Sequence, residues 1–128
     1  MYYLNKSVNL SFEAAEEQTR SALKDVGFGI LTEIDMKTTL KNKLDKDIKS
    51  YKILGACNPN FAYQALQQEE RIGIMLPCNV TLIDNEDGTI DISIMDPVEA
   101  LKVVPNPNLE KFAAEVRPLL ETALDNIG

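Results

Sequence analysis

The two cysteines of this 128-residue chain are the side chains best suited to chemistry, and each lies in a similar tripeptide. The first tripeptide is Cys57-Asn58-Pro59, and the second is Pro77-Cys78-Asn79. A deprotonated cysteine is a nucleophile, a redox centre or a metal ligand. Asparagine and proline fix backbone geometry and offer hydrogen bonds where secondary-structure elements begin or end. We expect the two tripeptides to meet in space and to form a candidate ligand or thiol site.

The sequence leaves three roles open for Cys57 and Cys78. Cys57 is expected just before a helix, whose positive end lowers the pKa of a nearby thiol, so a reactive dithiol is one role. A soft-metal site is the second, but two thiolates without histidine need further ligands, and we predict no metal and no cofactor. Burial is the third, because a free cysteine often packs as a small apolar side chain.

Several common active sites are excluded by residue types. The chain has no histidine, which removes the commonest general base and the usual partner of a nucleophilic serine or cysteine. The nucleophile-elbow and phosphate-loop patterns are absent. Gly27-Phe28-Gly29 resembles the start of a dinucleotide fingerprint, but it follows a predicted helix instead of a strand. The sequence therefore identifies no reaction, and whether the protein is an enzyme stays open.

The composition favours an ordinary cytoplasmic protein. Its formal charge of −7 repels phosphate backbones, so we expect no nucleic-acid partner. No apolar run approaches the ~20 residues of a membrane helix, so we expect no membrane partner. The amino terminus lacks the pattern of a secretory signal, and in the cytoplasm two cysteines stay reduced. Because no linker or repeat divides the chain, we predict a single domain, 1–128.

Hydrophobic periodicity predicts the element order β-α-β-α-β-α-β-β-α-α. Residues 2 to 10 are expected to be extended, and a helix follows with Ser11 as its N-cap and Gly27 at its end. Apolar residues alternate again near 28–34 and 50–56, and residues 79 to 95 have the pattern of a β-hairpin. A hairpin late in a helix-rich chain favours an α+β fold, with a largely antiparallel sheet and helices packed on one face.

Four further helices are predicted from a capping residue followed by apolar residues at helical spacing. Asp35 precedes three apolar residues that recur every four positions, Met36, Leu40 and Leu44. Asn58-Pro59 and Asp96-Pro97 each place a capping side chain before a proline, which tolerates the first helical position because no N–H is needed there. Asn108 is predicted to cap the last helix.

Four segments together resemble the domain-of-unknown-function 302 family. They are Gly55-Ala56-Cys57-Asn58-Pro59, Ala62-Tyr63-Gln64-Ala65-Leu66, Ile72-Gly73-Ile74-Met75-Leu76-Pro77-Cys78-Asn79 and Asp96-Pro97. The resemblance covers nearly the whole chain and implies a compact α+β fold and a homodimer. It implies no reaction, because none is established for the family.

These observations support three functional hypotheses. The first is a homodimer that binds a small-molecule ligand or ion at a site formed by Cys57, Asn58, Pro59, Pro77, Cys78 and Asn79. The second is a thiol redox or sulfur-transfer protein, in which Cys78 resolves a disulfide or sulfur species formed on Cys57. The third is a purely structural dimer, in which the two tripeptides only pack helix against sheet.

Overall fold

The structure, a computed structural model, describes all 128 residues as five strands and five α-helices. The strands are β1 (Tyr3–Val8), β2 (Gly29–Asp35), β3 (Tyr51–Cys57), β4 (Cys78–Asp84) and β5 (Ile90–Met95). The helices are α1 (Phe12–Asp25), α2 (Met36–Leu44), α3 (Pro59–Gln68), α4 (Pro97–Ala100) and α5 (Pro107–Asp125). Two 3-10 helices, Glu70–Met75 and Leu101–Val103, follow α3 and α4. This confirms the predicted order of strands and α-helices.

All five strands form one antiparallel sheet in the order β1-β5-β4-β3-β2. The hairpin of β4 and β5 lies at its centre, joined by a loop in which Gly88 has a φ of +92°. That left-handed conformation suits glycine, which has no Cβ to clash. Strand β2 is an edge strand whose pairing with β3 shifts register between Ile30 and Thr32. The shift leaves Leu31, which lies between them, exposed to solvent.

One face of the sheet carries the hydrophobic core, since alternate residues of a strand point to opposite faces. On β4 and β5, the core side is fully buried and consists of Val80, Leu82, Ile92 and Ile94. Helices α1 and α5 cover this face, and their buried residues include Leu23 and Leu120. The predicted α+β architecture, with helices on one face of an antiparallel sheet, is confirmed. None of the helices is both long and apolar enough to span a membrane.

Most predicted helix ends are confirmed by their hydrogen bonds. The Ser11 side chain accepts from the Ala14 backbone N–H at 3.1 Å, and Gly27 follows α1 with a φ of +90°. The prediction that Asn108 caps α5 is wrong. Asn106 is the cap, accepting from the Asn108 N–H at 3.0 Å, because Pro107 takes the first helical position. The asparagine-proline arrangement of α3 therefore recurs at α5, two residues before the predicted cap.

Helix α2 forms after its predicted cap, Asp35, but its apolar residues are not buried. Leu44 is 63% exposed. The reason is position, because α2 connects β2 to β3 and packs mainly against these two strands at the edge of the sheet. The Lys41 ammonium lies 2.8 Å from the Asp45 carboxylate at the end of the helix.

Candidate functional site

The candidate site lies at one end of the sheet, where β3 and β5 end and β2 and β4 begin. Antiparallel pairing brings these four strand ends to one edge. The connections that leave them include α3, α4 and the Glu70–Met75 helix, and α5 packs against α3 and α4. The topology thus brings the segments around Cys57, Cys78 and Asp96 together, although they are far apart in the sequence.

These segments enclose an apolar cavity of about 290 Å³. It is lined by 18 residues, of which 15 are hydrophobic, the two cysteines included. Asn58 is the only lining residue with a polar amide side chain, and no charged residue lines the cavity. The aromatic part of the wall comes from Phe28, Phe61 and Phe112. Such a lining suits an uncharged apolar occupant, because burying a charge without a partner is costly.

Both cysteines line this cavity and neither forms a disulfide. Cys78 is the first residue of β4 and is paired with Ala56, the neighbour of Cys57, on β3. Cys78 is 8% exposed, whereas Cys57 is half-buried at the point where β3 ends. The predicted meeting of the two tripeptides is therefore observed for their sulfur-bearing residues, with Cys57 the more accessible.

The electrostatics of the two thiols favour their neutral forms. Burial, with a smaller contribution from the nearby Cys57, raises the pKa of Cys78 to about 11. Burial also raises the pKa of Cys57 above its ordinary value of 9.0. A thiol in an apolar environment resists ionisation, because burial removes the water that would solvate the thiolate. Both cysteines are consequently protonated at neutral pH.

Asn58 has the capping role that its sequence position indicates. Its side-chain oxygen accepts hydrogen bonds from the backbone N–H groups of Asn60 at 3.0 Å and Phe61 at 3.3 Å. Pro59 occupies the first helical position and is exposed, outside the cavity lining. A Cβ added to Gly27 would lie 3.0 Å from the Asn58 amide nitrogen, so α1 ends directly against this cap.

Pro77 lines the cavity and also packs over strand β3. The peptide bond before it, Leu76–Pro77, is cis. A Cβ added to Gly55 would lie 2.6 Å from the Pro77 ring and 2.1 Å from the Thr32 hydroxyl. Such distances are far shorter than van der Waals contact, so glycine at position 55 is what lets Pro77 approach the strand.

Asn79 lies on the opposite face of the sheet from the cavity. It is exposed and lines a separate, open hollow of about 590 Å³ on the face that no helix covers. Tyr51, Thr81 and Ser93 lie in the same hollow. Of the six predicted site residues, the structure gathers Cys57, Asn58, Pro77 and Cys78 around the cavity and leaves Pro59 and Asn79 outside its lining.

Sequence reasoning missed several residues that form the cavity wall. Met75 comes from the Glu70–Met75 helix, Met95 from the end of β5, and Phe112 from α5. The apolar run before Pro77 was the only local signal, and it gave no indication of the Glu70–Met75 helix. Contributions from β5 and α5 depend on the three-dimensional arrangement and have no local signature.

Asp96 is a buried carboxylate beside the cavity, and its interactions are structural. It is 4% exposed, caps α4 by accepting from the Val98 N–H at 3.0 Å, and lies 3.2 Å from the Arg117 guanidinium. Its backbone N–H donates to the Tyr2 carbonyl at 2.8 Å. Asp96 thereby links β5, α4, α5 and the residue before β1. No group of three or more histidine, cysteine, aspartate or glutamate side chains is arranged to hold a metal ion.

Fold and site together define an α+β protein with an apolar, cysteine-containing cavity at one end of an antiparallel sheet. The chain belongs to the family described as "Domain of unknown function DUF302", whose model matches residues 4–127. The resemblance noted from the cysteine tripeptides is thus confirmed.

A solved structure supports the same assignment. The crystal structure of an uncharacterized conserved protein DUF302 from Bacillus stearothermophilus is similar to this chain, with a TM-score of 0.92 and 26% sequence identity. The similarity covers 100% of this chain and 99% of the other. A comparison with curated proteins finds no match.

Proposed function

We propose that residues 1–128 form one domain that binds a small, uncharged and mainly apolar molecule in the cavity at the end of the sheet. The main support for this proposal is the lining of the cavity, in which Asn58 is the only amide side chain and no residue is charged. The volume of about 290 Å³ lies near the ~300 Å³ lower bound of typical ligand pockets and exceeds the ~150 Å³ that holds benzene in an engineered cavity. A ligand of the size of a substituted aromatic ring fits this space.

Asn58 supplies the polar contact of the proposed site. Its oxygen is occupied by the N–H groups at the start of α3. Its amide nitrogen makes no hydrogen bond within the chain and remains available to donate to a carbonyl or hydroxyl oxygen of the ligand. A few fixed polar groups in an apolar pocket orient a ligand, while apolar burial supplies most of its affinity.

A neutral fluorescent probe, N-phenyl-1-naphthylamine, tests the proposal. We expect saturable binding to the native protein and a rise in the melting temperature with probe concentration. Ala62→Phe places an aromatic ring in the cavity and should abolish binding, whereas Ala114→Phe, on the exposed side of α5, should not. The matched substitutions carry the same loss of helix propensity. Equal binding by both variants, or no binding by the native protein, would contradict the proposal.

Thiol chemistry is the second candidate, because both cysteines line the same cavity. A disulfide between Cys57 and Cys78 would release two protons and pass two electrons to an oxidant such as oxidised glutathione. Against it stand the raised pKa values of both thiols, since the thiolate is the reactive form. Loss of two free thiols on incubation with oxidised glutathione would favour this role, and slow alkylation at pH 8 would oppose it.

We also propose that the protein is a cytoplasmic homodimer. The edge strand β2 supports a contact between copies, because its backbone lacks a neighbour on one side and Leu31 and Ile34 are exposed on it. Leu31 also lines the cavity, so a second copy at this edge would close it further. Analytical ultracentrifugation should give twice the 14.3 kDa chain mass, and Ile34→Lys should reduce it to one chain. A dimer that forms while the cavity binds nothing would instead support a purely structural role.

A further inference from the structure

The open face of the sheet carries an ordered set of hydrogen-bonding side chains. Six of the 13 residues that line its hollow are hydrophobic, against 15 of 18 in the cavity, so the hollow suits a more polar ligand. Antiparallel register fixes its side chains in rows across the strands. Asn5 on β1 is paired with Ser93 on β5, which is paired with Thr81 on β4. These three residues form the middle row of the hollow.

The middle row is held in place by hydrogen bonds. The Asn5 amide nitrogen donates to the Asp91 carboxylate at 2.8 Å and to the Ser93 hydroxyl at 2.9 Å, and that hydroxyl donates to Asp91 at 2.8 Å. The Asn5 carbonyl oxygen is left free to accept. The side chains of Asn79 and Thr81 make no hydrogen bond within the chain, so each can both donate and accept. A ligand in the hollow therefore meets donors and acceptors without breaking an internal hydrogen bond.

Tyrosine rings lie at two opposite corners of the hollow. Tyr3 on β1 is paired with Met95 at one end of the face, and Tyr51 on β3 is paired with Ile83 at the other end. Three strand spacings and four residues of strand length separate the two tyrosines, so their Cα atoms lie about 20 Å apart on a flat sheet. A ligand that contacts both rings and the middle row must therefore be elongated.

We propose that this hollow binds a neutral, elongated oligosaccharide across strands β3, β4, β5 and β1. The hydroxyl groups of a sugar both donate and accept hydrogen bonds, which suits the side chains of Asn5, Asn79 and Thr81. The apolar C–H faces of its rings suit the faces of the two tyrosines. The strand face of another antiparallel fold, the five-stranded OB barrel, also binds oligosaccharides. This site lies outside the cavity and goes beyond the proposed binding of an apolar molecule.

Charge favours a neutral ligand in the hollow. One lysine, Lys49, and one carboxylate, Asp91, line it, so the lining carries no net charge. A single lysine cannot neutralise a run of phosphates, and the chain as a whole carries a charge of −7. A nucleic acid is therefore disfavoured as the ligand.

The order of residues across the hollow disfavours a protein partner. Protein interfaces have an apolar centre and a polar rim. Here the order is reversed, because Ser93 and Thr81 lie in the middle row, whereas Tyr3 and Tyr51 lie at the corners. Stacking at the ends and hydrogen bonds in the middle match a chain of sugar rings better than a protein surface.

Isothermal titration calorimetry with cellohexaose, chitohexaose and maltohexaose tests the proposal. The native protein should bind at least one of them saturably. The corresponding disaccharide should bind at least about fivefold more weakly, because it cannot reach both tyrosines. Asn79→Ala and Tyr51→Ala should each weaken binding about fivefold, through loss of a hydrogen bond and of a stacking ring respectively. Tyr63→Ala, an identical tyrosine substitution on the exposed side of α3, should leave affinity unchanged.

The Asn79 side chain is exposed, so its removal should not disturb folding, and circular dichroism melting verifies that Tyr51→Ala folds. Failure of all three hexasaccharides to bind overturns the proposal. Unchanged affinity in both Asn79→Ala and Tyr51→Ala also overturns it, because the sugar then binds elsewhere.

The cavity variant separates this inference from the proposed function. Ala62→Phe should leave oligosaccharide binding unchanged, because Ala62 lines the cavity and not the hollow. Loss of oligosaccharide binding in this variant would contradict the inference. A protein that binds N-phenyl-1-naphthylamine and no oligosaccharide contradicts this inference alone. The reverse result contradicts only the proposed apolar ligand.

Discussion

The two faces of the sheet differ in a way that the neighbouring residues Cys78 and Asn79 make plain. Cys78 points to the helix-covered side, where it lines the apolar cavity, and Asn79 lies in the open hollow on the other side. The same alternation continues along β4, with Val80 and Leu82 fully buried and Thr81 and Ile83 only half-buried. The covered face provides stability and the cavity, whereas the open face carries a mixture of polar and apolar side chains.

The comparison extends to the two cysteine–asparagine pairs, which look equivalent in the sequence. The first pair leaves a strand and enters a helix, so Asn58 follows the geometry of an N-cap and remains at the cavity. The second pair enters a strand, so Asn79 follows the two-residue alternation and turns away. Similar residue order therefore gives one asparagine at the site and one outside it. The position of each asparagine depends on the element that begins there, which is helix α3 at Asn58 and strand β4 at Cys78.

The largest expected difference between the two faces appears on truncating adjacent apolar residues of β4. Leu82→Ala should lower the free energy of unfolding by about 2–5 kcal/mol, because it leaves a void among fully buried side chains. Ile83→Ala, one residue further on the open face, should cost about 1 kcal/mol, since its side chain is only half-buried. Urea denaturation of both variants measures the difference. Equal losses would show that the open face is covered in solution, as a dimer through that face would require.

The buried thiol of Cys78, on the covered face, should make the folding stability of the protein depend on pH. Its pKa is about 11 in the folded protein against an ordinary value of 9.0, so the unfolded chain loses this proton first as pH rises. The contribution of the protonated Cys78 thiol to the free energy of unfolding is therefore complete below pH 9 and declines between pH 9 and about 11. The pKa difference between the folded and unfolded chains corresponds to about 3 kcal/mol.

The measurement is urea denaturation of the native protein and of Cys78→Ala across this pH range. Tyrosine and lysine residues titrate in both proteins, so the difference between the two curves isolates the thiol. We expect the native protein to lose more stability than the variant above pH 9. Parallel curves would mean that Cys78 is solvated and that the end of the cavity is open to water.

Much of the fold was predictable because its signals are local. The cap at Ser11, the stop at Gly27 and the alternation of Ile90, Ile92 and Ile94 each depend on neighbouring residues, and all are confirmed. The Glu70–Met75 helix and the exposure of Leu44 were not predicted, because tertiary packing decides both.

The candidate site was predictable only in part, for the same reason. Cys57 and Cys78 meet because antiparallel pairing brings a strand end beside a strand start, which follows once β3 and β4 are neighbours. Met95 and Phe112 join them through strand order and helix packing. Asn79 was grouped with the site by its resemblance to Asn58, although the strand period already predicts that it faces away from Cys78.

The smallest expected effect separates the two asparagines. Asn58→Ala removes the acceptor for two N–H groups at the start of α3 and should cost about 1 kcal/mol of folding stability. Asn79→Ala removes an exposed side chain that makes no hydrogen bond within the chain and should change stability by less than about 0.5 kcal/mol.

Ligand binding distinguishes these variants further. Asn58→Ala should also weaken binding of a probe that carries a hydrogen-bond acceptor, such as 1-naphthaldehyde, more than binding of naphthalene, which has none. Asn79→Ala should affect neither probe, because its side chain lies on the other face of the sheet. Weaker binding in Asn79→Ala than in Asn58→Ala would place the binding site in the open hollow and remove the cavity from consideration. Asn79, and not Asn58, would then be the asparagine that contacts the ligand.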